Sequence, residues 1–259
     1  ITYHQGLAIS SIDRDKKQIF DSSGEAHSYD TLILATGSRP ALTMKTPQGM
    51  AGFFGLRTRR DADKIREYLK DGGKASIIGG GLLGLELAGS LASLGIEVTI
   101  IQRSSRLMRG QLDDTGSDIL HDEIINRGIR VIYNDEVANF IGSNKLEAIK
   151  LKSGRSLDCD ALFFAAGIQP NTELGIDAKL AVDKGLKVND QLQTSDKNIY
   201  AMGEIAQHRN KTYGTTPAAQ DQARVVAASL NGDRWASYKG SLSFNILKLK
   251  DLQLASLGV

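Results

Sequence analysis

The chain has 259 residues, 41% apolar and 24% charged, with a formal net charge of +2. At roughly 100–200 residues per domain this suffices for two soluble domains, and the near-neutral balance argues against nucleic acid or an anionic membrane as partner. A single cysteine, Cys159, excludes an intrachain disulfide, a CxxC redox pair and a cysteine zinc site, and it points to a reducing compartment, the cytoplasm.

The four histidines, His4, His27, His121 and His208, show no ligand spacing, so no metal site is expected. There is no signal peptide and no apolar run long enough to span a membrane.

In chain order, GLAISSIDR and KQIFDSSG alternate apolar and polar residues around charged turns, which reads as β structure. Ile1 already falls within strand-like sequence, so the chain reads as cut from a longer one. TLILATG is a continuous apolar run ending at Gly37, the pattern of a fully buried strand. Pro40 and Pro47 frame a connection. Thr58-Arg-Arg-Asp61 has the spacing of a capping box and opens a helix to about Leu69, which Gly72-Gly73 stops.

Residues 75–79 form a buried strand, followed by a glycine turn, a helix from about Leu83 to Leu94, and a strand over 97–102. That is a βαβ unit. Asp113 to Arg127 has helical period and ends at Gly128. RVIYN is a further strand, and VANFIGSNKLEAIKLKSG is a hairpin turning at Ser143-Asn144. LDCDALFFAAG is another buried strand. Short loops follow Asn171, then the strand KNIYAMG and a helix from Pro217 to Leu230. SFNILKLKD and QLASLGV read as strands with no terminating element. Three apolar strands thus end in glycine, at Gly37, Gly167 and Gly203. In open α/β sheets the carboxyl ends of strands are where ligands bind.

Gly79-Gly80-Gly81-Leu82-Leu83-Gly84 fits G-x-G-x-x-G between a strand and a helix. Gly79 permits the tight turn, Gly81 lets a pyrophosphate approach the backbone, and Gly84 lets helix and strand pack closely. The helix N-terminus then offers free N–H groups to the anion. Glu86, just beyond, either complements the helix dipole or faces the nicotinamide end of a bound dinucleotide. Gln102 stands where an NAD-selective unit carries an acid for the ribose 2′-hydroxyl, so repulsion of a 2′-phosphate is absent. Arg103, Arg106 and Arg109 follow. They form either a phosphate-pairing group, which favours NADPH, or a solvated basic loop.

The stretches YDTLILATGSRP, LRTRRDADKI, SIIGGGLLGLELAGSLASLG, ALFFAAGIQPNTEL and TSDKNIYAMGEIAQH together resemble the FAD-dependent pyridine nucleotide–disulfide oxidoreductase superfamily over nearly the whole chain. Within it, GGGLLGLELAG, QLDDTG and YAMGE are most similar to the branch of NAD(P)H-dependent nitrite reductase large subunits, with NADH:rubredoxin reductases a near second. The resemblance implies an α/β flavoprotein fold of two dinucleotide-binding domains, with a Rossmann-like NAD(P) domain inserted in an incomplete FAD domain. Residues 1–46 would be the first FAD part, 47–167 the NAD(P) domain, 168–236 the FAD return, and 237–259 the start of a C-terminal interface domain. The superfamily's first glycine motif, and the redox cysteines of its disulfide-reducing branches, would lie before Ile1.

Carried over residue by residue, the resemblance implies that Ala35, Thr36 and Gly37 pass near FAD with Arg39 beside them. Gly203 and Glu204 would meet the flavin's ribityl chain; most of the superfamily has Asp where this chain has Glu204. Pro217 and Ala218 would bring a helix start to the isoalloxazine ring. Leu82, Leu83, Glu86 and Gly167 would line NAD(P). The implied chemistry is hydride transfer from NAD(P)H to FAD, then onward to a separate electron-acceptor domain or protein, with a homodimer at full length. No acid–base pair on this chain is required to act. A sirohaem and iron–sulfur centre would need about four cysteines, and one is present, so nitrite reduction itself lies elsewhere. The alternatives are a rubredoxin or ferredoxin reductase and a non-catalytic NAD(P)-binding module.

Overall fold

The computed structural model describes residues 1–242 and 244–257. They form two units, and the chain passes between them at 39/40, at 168/169 and again after Leu242. One unit is Pro40–Ile168 with the described part of 243–259; the other is Ile1–Arg39 with Gln169–Leu242.

The 40–168 unit is built on a five-stranded sheet in the order 53–54, 161–164, 74–78, 97–102, 130–133, every pair parallel. Parallel strands are covered on both faces, which is why ALFF is wholly apolar and ASII and VTII carry only the buried Ser76 and Thr99 among apolar residues. Successive side chains still alternate between faces. Ile77, Ile100 and Phe163 enter a core with helices α1 (Arg59–Tyr68), α2 (Leu82–Ser93) and α3 (Asp114–Asn126). Ile101, Leu162 and Phe164 turn the other way, onto an antiparallel sheet of strands 137–142, 146–151 and 156–158. Cys159 is buried in that second layer, and desolvation pushes its thiol up to about 11, so it is an apolar filler rather than a nucleophile. Each fully buried side chain of this size contributes roughly 1.5–3 kcal/mol, which makes the two-faced sheet the stabilising centre of the unit.

The helix starts follow local chemistry. Thr58 Oγ1 accepts from the Asp61 N–H at 3.2 Å, and the Asp61 carboxylate accepts from the Thr58 N–H at 2.7 Å, completing the capping box. Asp113 caps α3 by accepting from the Gly116 N–H at 2.8 Å. By contrast α2 opens on Gly81 with no side-chain cap.

The terminal segment, expected to begin a further domain, forms a hairpin of Phe244–Leu249 with Leu252–Leu257 that packs on α2. Leu247 and Leu249 join the core, and Gly89 of α2 makes room: a Cβ there would stand 2.6 Å from Leu249 Cδ2. Ser243, Gly258 and Val259, which fall in the two predicted terminal strands, lie outside the described residues.

The other unit combines an antiparallel sheet of strands 9–13, 18–21 and 26–28, a parallel pair of 32–34 with 199–201, and a sheet of 186–188, 206–208 and 211–212. Its helices are the short α4 (Glu173–Asp177), where only loops were expected, and α5 (Thr216–Leu230), with a proline in its first turn. The first hairpin is tied by Asp21, whose carboxylate accepts from the Ser23 and Glu25 amides and pairs with His27 at 3.0 Å. His27 therefore does come beside acids, although no spacing in the sequence signals it. The run TLILATG is strand only over Leu32–Leu34, with Ile33 39% exposed. Full burial needs cover on both faces, and the face that carries Ile33 is open; among the described residues this strand pairs with 199–201 alone.

Candidate functional site

Gly79 ends strand 74–78, which lies between 161–164 and 97–102, the point at which the order of the sheet reverses. Ligands bind at such switch points, outside the carboxyl ends of the strands. The motif glycines differ in what they allow. Gly79 has φ +109°, and a Cβ on it would stand 3.0 Å from the Ala165 carbonyl oxygen. A Cβ on Gly84 would fall on the carbonyl oxygen of Gly79 itself. Both are therefore required by close packing of turn, helix and neighbouring strand. Gly81 has an ordinary φ of −89° and nothing within 4 Å of a Cβ position. Its missing side chain leaves open space in front of the uncapped start of α2, where N–H groups and the helix dipole favour an anion.

A cavity lies on each side of this turn. One, of about 290 Å³, is walled by Leu83, Leu87, Phe164, Ala165 and Gly167, with Glu86 and Arg57 at its edge. The other, of about 150 Å³, is bounded by Met44, Ile78, Gly79, Gln102, Arg103 and Asp135. The structure thus brings Leu83, Glu86 and Gly167 together, and separately Gly79, Gln102 and Arg103. Leu82, the first residue of α2, is partly buried against the helical core and lines neither cavity. Glu86 lies on the larger cavity, and its carboxylate also accepts the Lys248 N–H at 3.0 Å.

The Gln102 side chain is bound at both ends. Its Oε1 accepts from the Gly80 N–H at 2.7 Å, and its Nε2 donates to Ser104 Oγ at 2.6 Å and the Arg106 carbonyl at 3.2 Å. The Arg106 guanidinium is paired with Asp114 at the start of α3. Arg103 is exposed on the cavity and makes no ion pair among the described residues. The acids on this cavity are engaged within the protein: Asp135 accepts from Ser153 Oγ at 2.5 Å, which together with backbone amides lowers its carboxyl below the usual range, and Glu136 pairs with Lys152 at 3.1 Å.

In the other unit, Thr36, Gly37 and Arg39 converge on Asn171, a residue the sequence reading passed over. Asn171 donates from Nδ2 to the Thr36 carbonyl at 2.9 Å and from its N–H to the Gly37 carbonyl at 2.9 Å. Its own carbonyl accepts Thr36 Oγ1 at 3.0 Å, and its Oδ1 accepts Arg39 at 2.9 Å. Arg39 also pairs with Glu173 at 2.7 Å, which lowers that carboxyl. Ala35 is exposed beside them. Gly203, at φ +77°, donates its N–H to buried Gln222 Oε1 at 2.6 Å, and Glu204 accepts from Ser38 Oγ at 2.8 Å. Pro217 is exposed at the uncapped start of α5, while the Ala218 side chain is buried, so only its backbone could meet a ligand. Asn171, Ser38 and Gln222 were visible as polar residues within or beside apolar blocks, but their partners lie far away in sequence.

The chain is 35% identical over 258 residues to the assimilatory nitrate reductase electron transfer subunit of Bacillus subtilis, covering 100% of this chain and 34% of that protein. It is 34% identical to the nitrite reductase [NAD(P)H] of the same organism, covering 100% of this chain and 32% of that one. It therefore spans about a third of the length of these relatives. The ferredoxin reductase for the CYP199A2 system of Rhodopseudomonas palustris superposes with a TM-score of 0.89 at 30% identity, over 96% of this chain and 63% of that one. The architecture is accordingly α/β, the two-dinucleotide-binding-domain fold, with the 40–168 unit inserted in the other. With the model of the pyridine nucleotide-disulphide oxidoreductases matching residues 1–223, this chain belongs to that family.

Proposed function

We propose that this chain holds NAD(P)H in its 40–168 unit and contributes to an FAD site in the other, within a flavoprotein that passes electrons to a separate acceptor, as the names of its nitrate and nitrite reductase relatives suggest. The observation that carries the reading is the pair of cavities flanking the glycine turn, with the open space at Gly81 and the bare α2 N-terminus between them. A dinucleotide has that form: two ring systems joined by a pyrophosphate. Bound NAD(P)H would give hydride to FAD, and the reduced flavin would pass its electrons on to the acceptor.

The protein's part is binding and orientation. The α2 amides hold the pyrophosphate. Leu83, Phe164 and Ala165 exclude water from the larger cavity, and Glu86 offers it a carboxylate acceptor. In the FAD unit, Glu204, steadied by Ser38, accepts hydroxyl hydrogen bonds, and the α5 N-terminus favours negative charge. No helix among the described residues is long and apolar enough to cross a membrane. The second reading, a ferredoxin or rubredoxin reductase, has in its favour the fit to the ferredoxin reductase structure.

Calorimetric titration with NADPH, NADH and ATP tests the binding step. Saturable binding of a nicotinamide dinucleotide, tighter than ATP, is expected. Equal or absent binding of all three refutes it. Anaerobic reduction of the FAD-loaded full-length protein by NADPH, followed by addition of nitrite-reducing or ferredoxin-type acceptors, separates the two readings.

A further inference from the structure

We infer that Gln102 is a positioning residue that couples the glycine turn to the arginine loop, and not a ligand of the coenzyme ribose. The inference rests on the dinucleotide reading of the 40–168 unit. In a dinucleotide-binding βαβ unit the residue at the end of the second strand is the one that reaches the ribose. Here its side chain is satisfied by the protein. The amide oxygen takes the Gly80 N–H, and the amide nitrogen takes Ser104 Oγ and the Arg106 carbonyl.

The loop that Gln102 grips is itself anchored on both sides. Leu107 and Met108 are 0% and 1% exposed, and the Met108 N–H donates to the Gly80 carbonyl at 3.0 Å. Ser104 Oγ also donates to the Arg106 carbonyl at 3.0 Å, and the Ser104 carbonyl accepts the Asn134 N–H at 3.3 Å. Gly80 is therefore clasped by Gln102 through its N–H and by Met108 through its carbonyl. A Cβ on Gly80 would meet Leu107 Cδ2, so the loop lies directly against the turn. The amide of Gln102 crosslinks the part of the turn beside the pyrophosphate space to the loop carrying Arg103. A binding geometry held in this way depends on its supporting hydrogen bonds as much as on the groups that touch ligand.

A division of labour follows. Arg106 is paired with Asp114, and Gln102 is engaged with the turn. Discrimination between a 2′-hydroxyl and a 2′-phosphate then falls to Arg103, the cation on this cavity without an ion pair among the described residues. Gln102 sets the affinity for both coenzymes alike.

The test is calorimetric titration of the full chain and its variants with NADH and NADPH, with thermal melting in parallel. Gln102→Ala is expected to weaken both coenzymes by about tenfold, because the Gly80 N–H loses its acceptor and the Arg106 carbonyl loses one of its two donors, while the NADPH/NADH affinity ratio stays within about twofold. A residue that contacted the ribose 2′-hydroxyl would instead lose NADH selectively, and a fold-supporting residue would lower the melting temperature without changing either affinity. Ser104→Ala, which removes a single member of the network, is expected to give a smaller parallel loss and keeps the test open should Gln102→Ala fold poorly. A ratio shifted about fivefold or more in either variant, or unchanged affinities, overturns the inference while leaving the dinucleotide reading in place. A wild-type chain that binds neither coenzyme overturns both.

Discussion

The three motif glycines provide a sharp prediction, since the structure assigns them different duties. Gly81→Ala places a methyl group in open space at an ordinary φ of −89°. Alanine is a poorer N-cap than glycine by roughly 0.5–1 kcal/mol, and it recovers about 0.4–1 kcal/mol by restricting the unfolded chain, so stability should change by less than about 1 kcal/mol. The same methyl group occupies the space the pyrophosphate needs. Losing two charge-assisted contacts from the α2 amides, at roughly 1.5–3 kcal/mol each, weakens binding by on the order of 10² to 10⁴. Gly84→Ala is the contrasting case. Its Cβ falls on the Gly79 carbonyl oxygen, a backbone atom that moves only if the turn moves. A cost of about 3 kcal/mol or more is expected, lowering the melting temperature by about 6–12 °C. Differential scanning calorimetry and titration with NADPH measure both quantities on the same samples. Full affinity in Gly81→Ala, or a melting temperature reduced as far as that of Gly84→Ala, would refute the assignment of Gly81 to the ligand and of Gly84 to the fold.

Three further outcomes are expected. NADPH should bind at least as well as NADH, and Arg103→Leu should move the preference toward NADH by roughly tenfold, about 1.4 kcal/mol, in paired titrations; a wild type that favours NADH by more than about tenfold contradicts this. Phe163→Ala empties a fully buried site in the centre of the parallel sheet, where the ring stacks 5.4 Å from Phe54, and should cost about 3–5 kcal/mol in denaturant unfolding; a loss below about 1 kcal/mol would mean the core is not where the burial places it. Asp190 is held well below the usual carboxylate range by Arg209, paired at 2.6 Å, and then by His208. A carboxyl lowered in the folded state contributes stability in full above its ordinary unfolded value and loses it as pH falls through the lowered folded value. Melting temperature should therefore drop on the acid side of the ordinary carboxylate range, and Asp190→Asn should flatten that drop while lowering stability at neutral pH.

The parts of this protein that were legible in its sequence are those decided within a few residues. The capping box of Thr58 and Asp61 is a local pair of hydrogen bonds. The run ALFF is apolar because both faces of its strand are covered, and G-x-G-x-x-G describes a turn whose geometry depends on its own backbone. The helices at 82–93, 114–126 and 216–230 follow from period, caps and a first-turn proline, and so they lie within a residue or two of their predicted limits. The glycine turn marked one end of the proposed coenzyme site for the same reason.

Tertiary structure decided what depends on contacts between distant stretches, about which local pattern is silent. Leu82 and Leu83 are adjacent and chemically identical, yet one packs on the core and the other lines the larger cavity, because a helix turns about 100° per residue and only the fold says what stands on each side. Gln102 looked like a substitute for a ribose-binding acid until Gly80 and the Arg106 carbonyl were found at either end of its amide. Asn171 joins Thr36, Gly37 and Arg39 across 132 to 135 residues of chain, a separation at which no periodicity carries information. The terminal hairpin reached the core through Leu247 and Leu249 because Gly89 left room for it, and that room exists only once α2 has been placed. Apolar pattern determines that a segment is buried; shape and hydrogen-bond complementarity between remote segments determine against what.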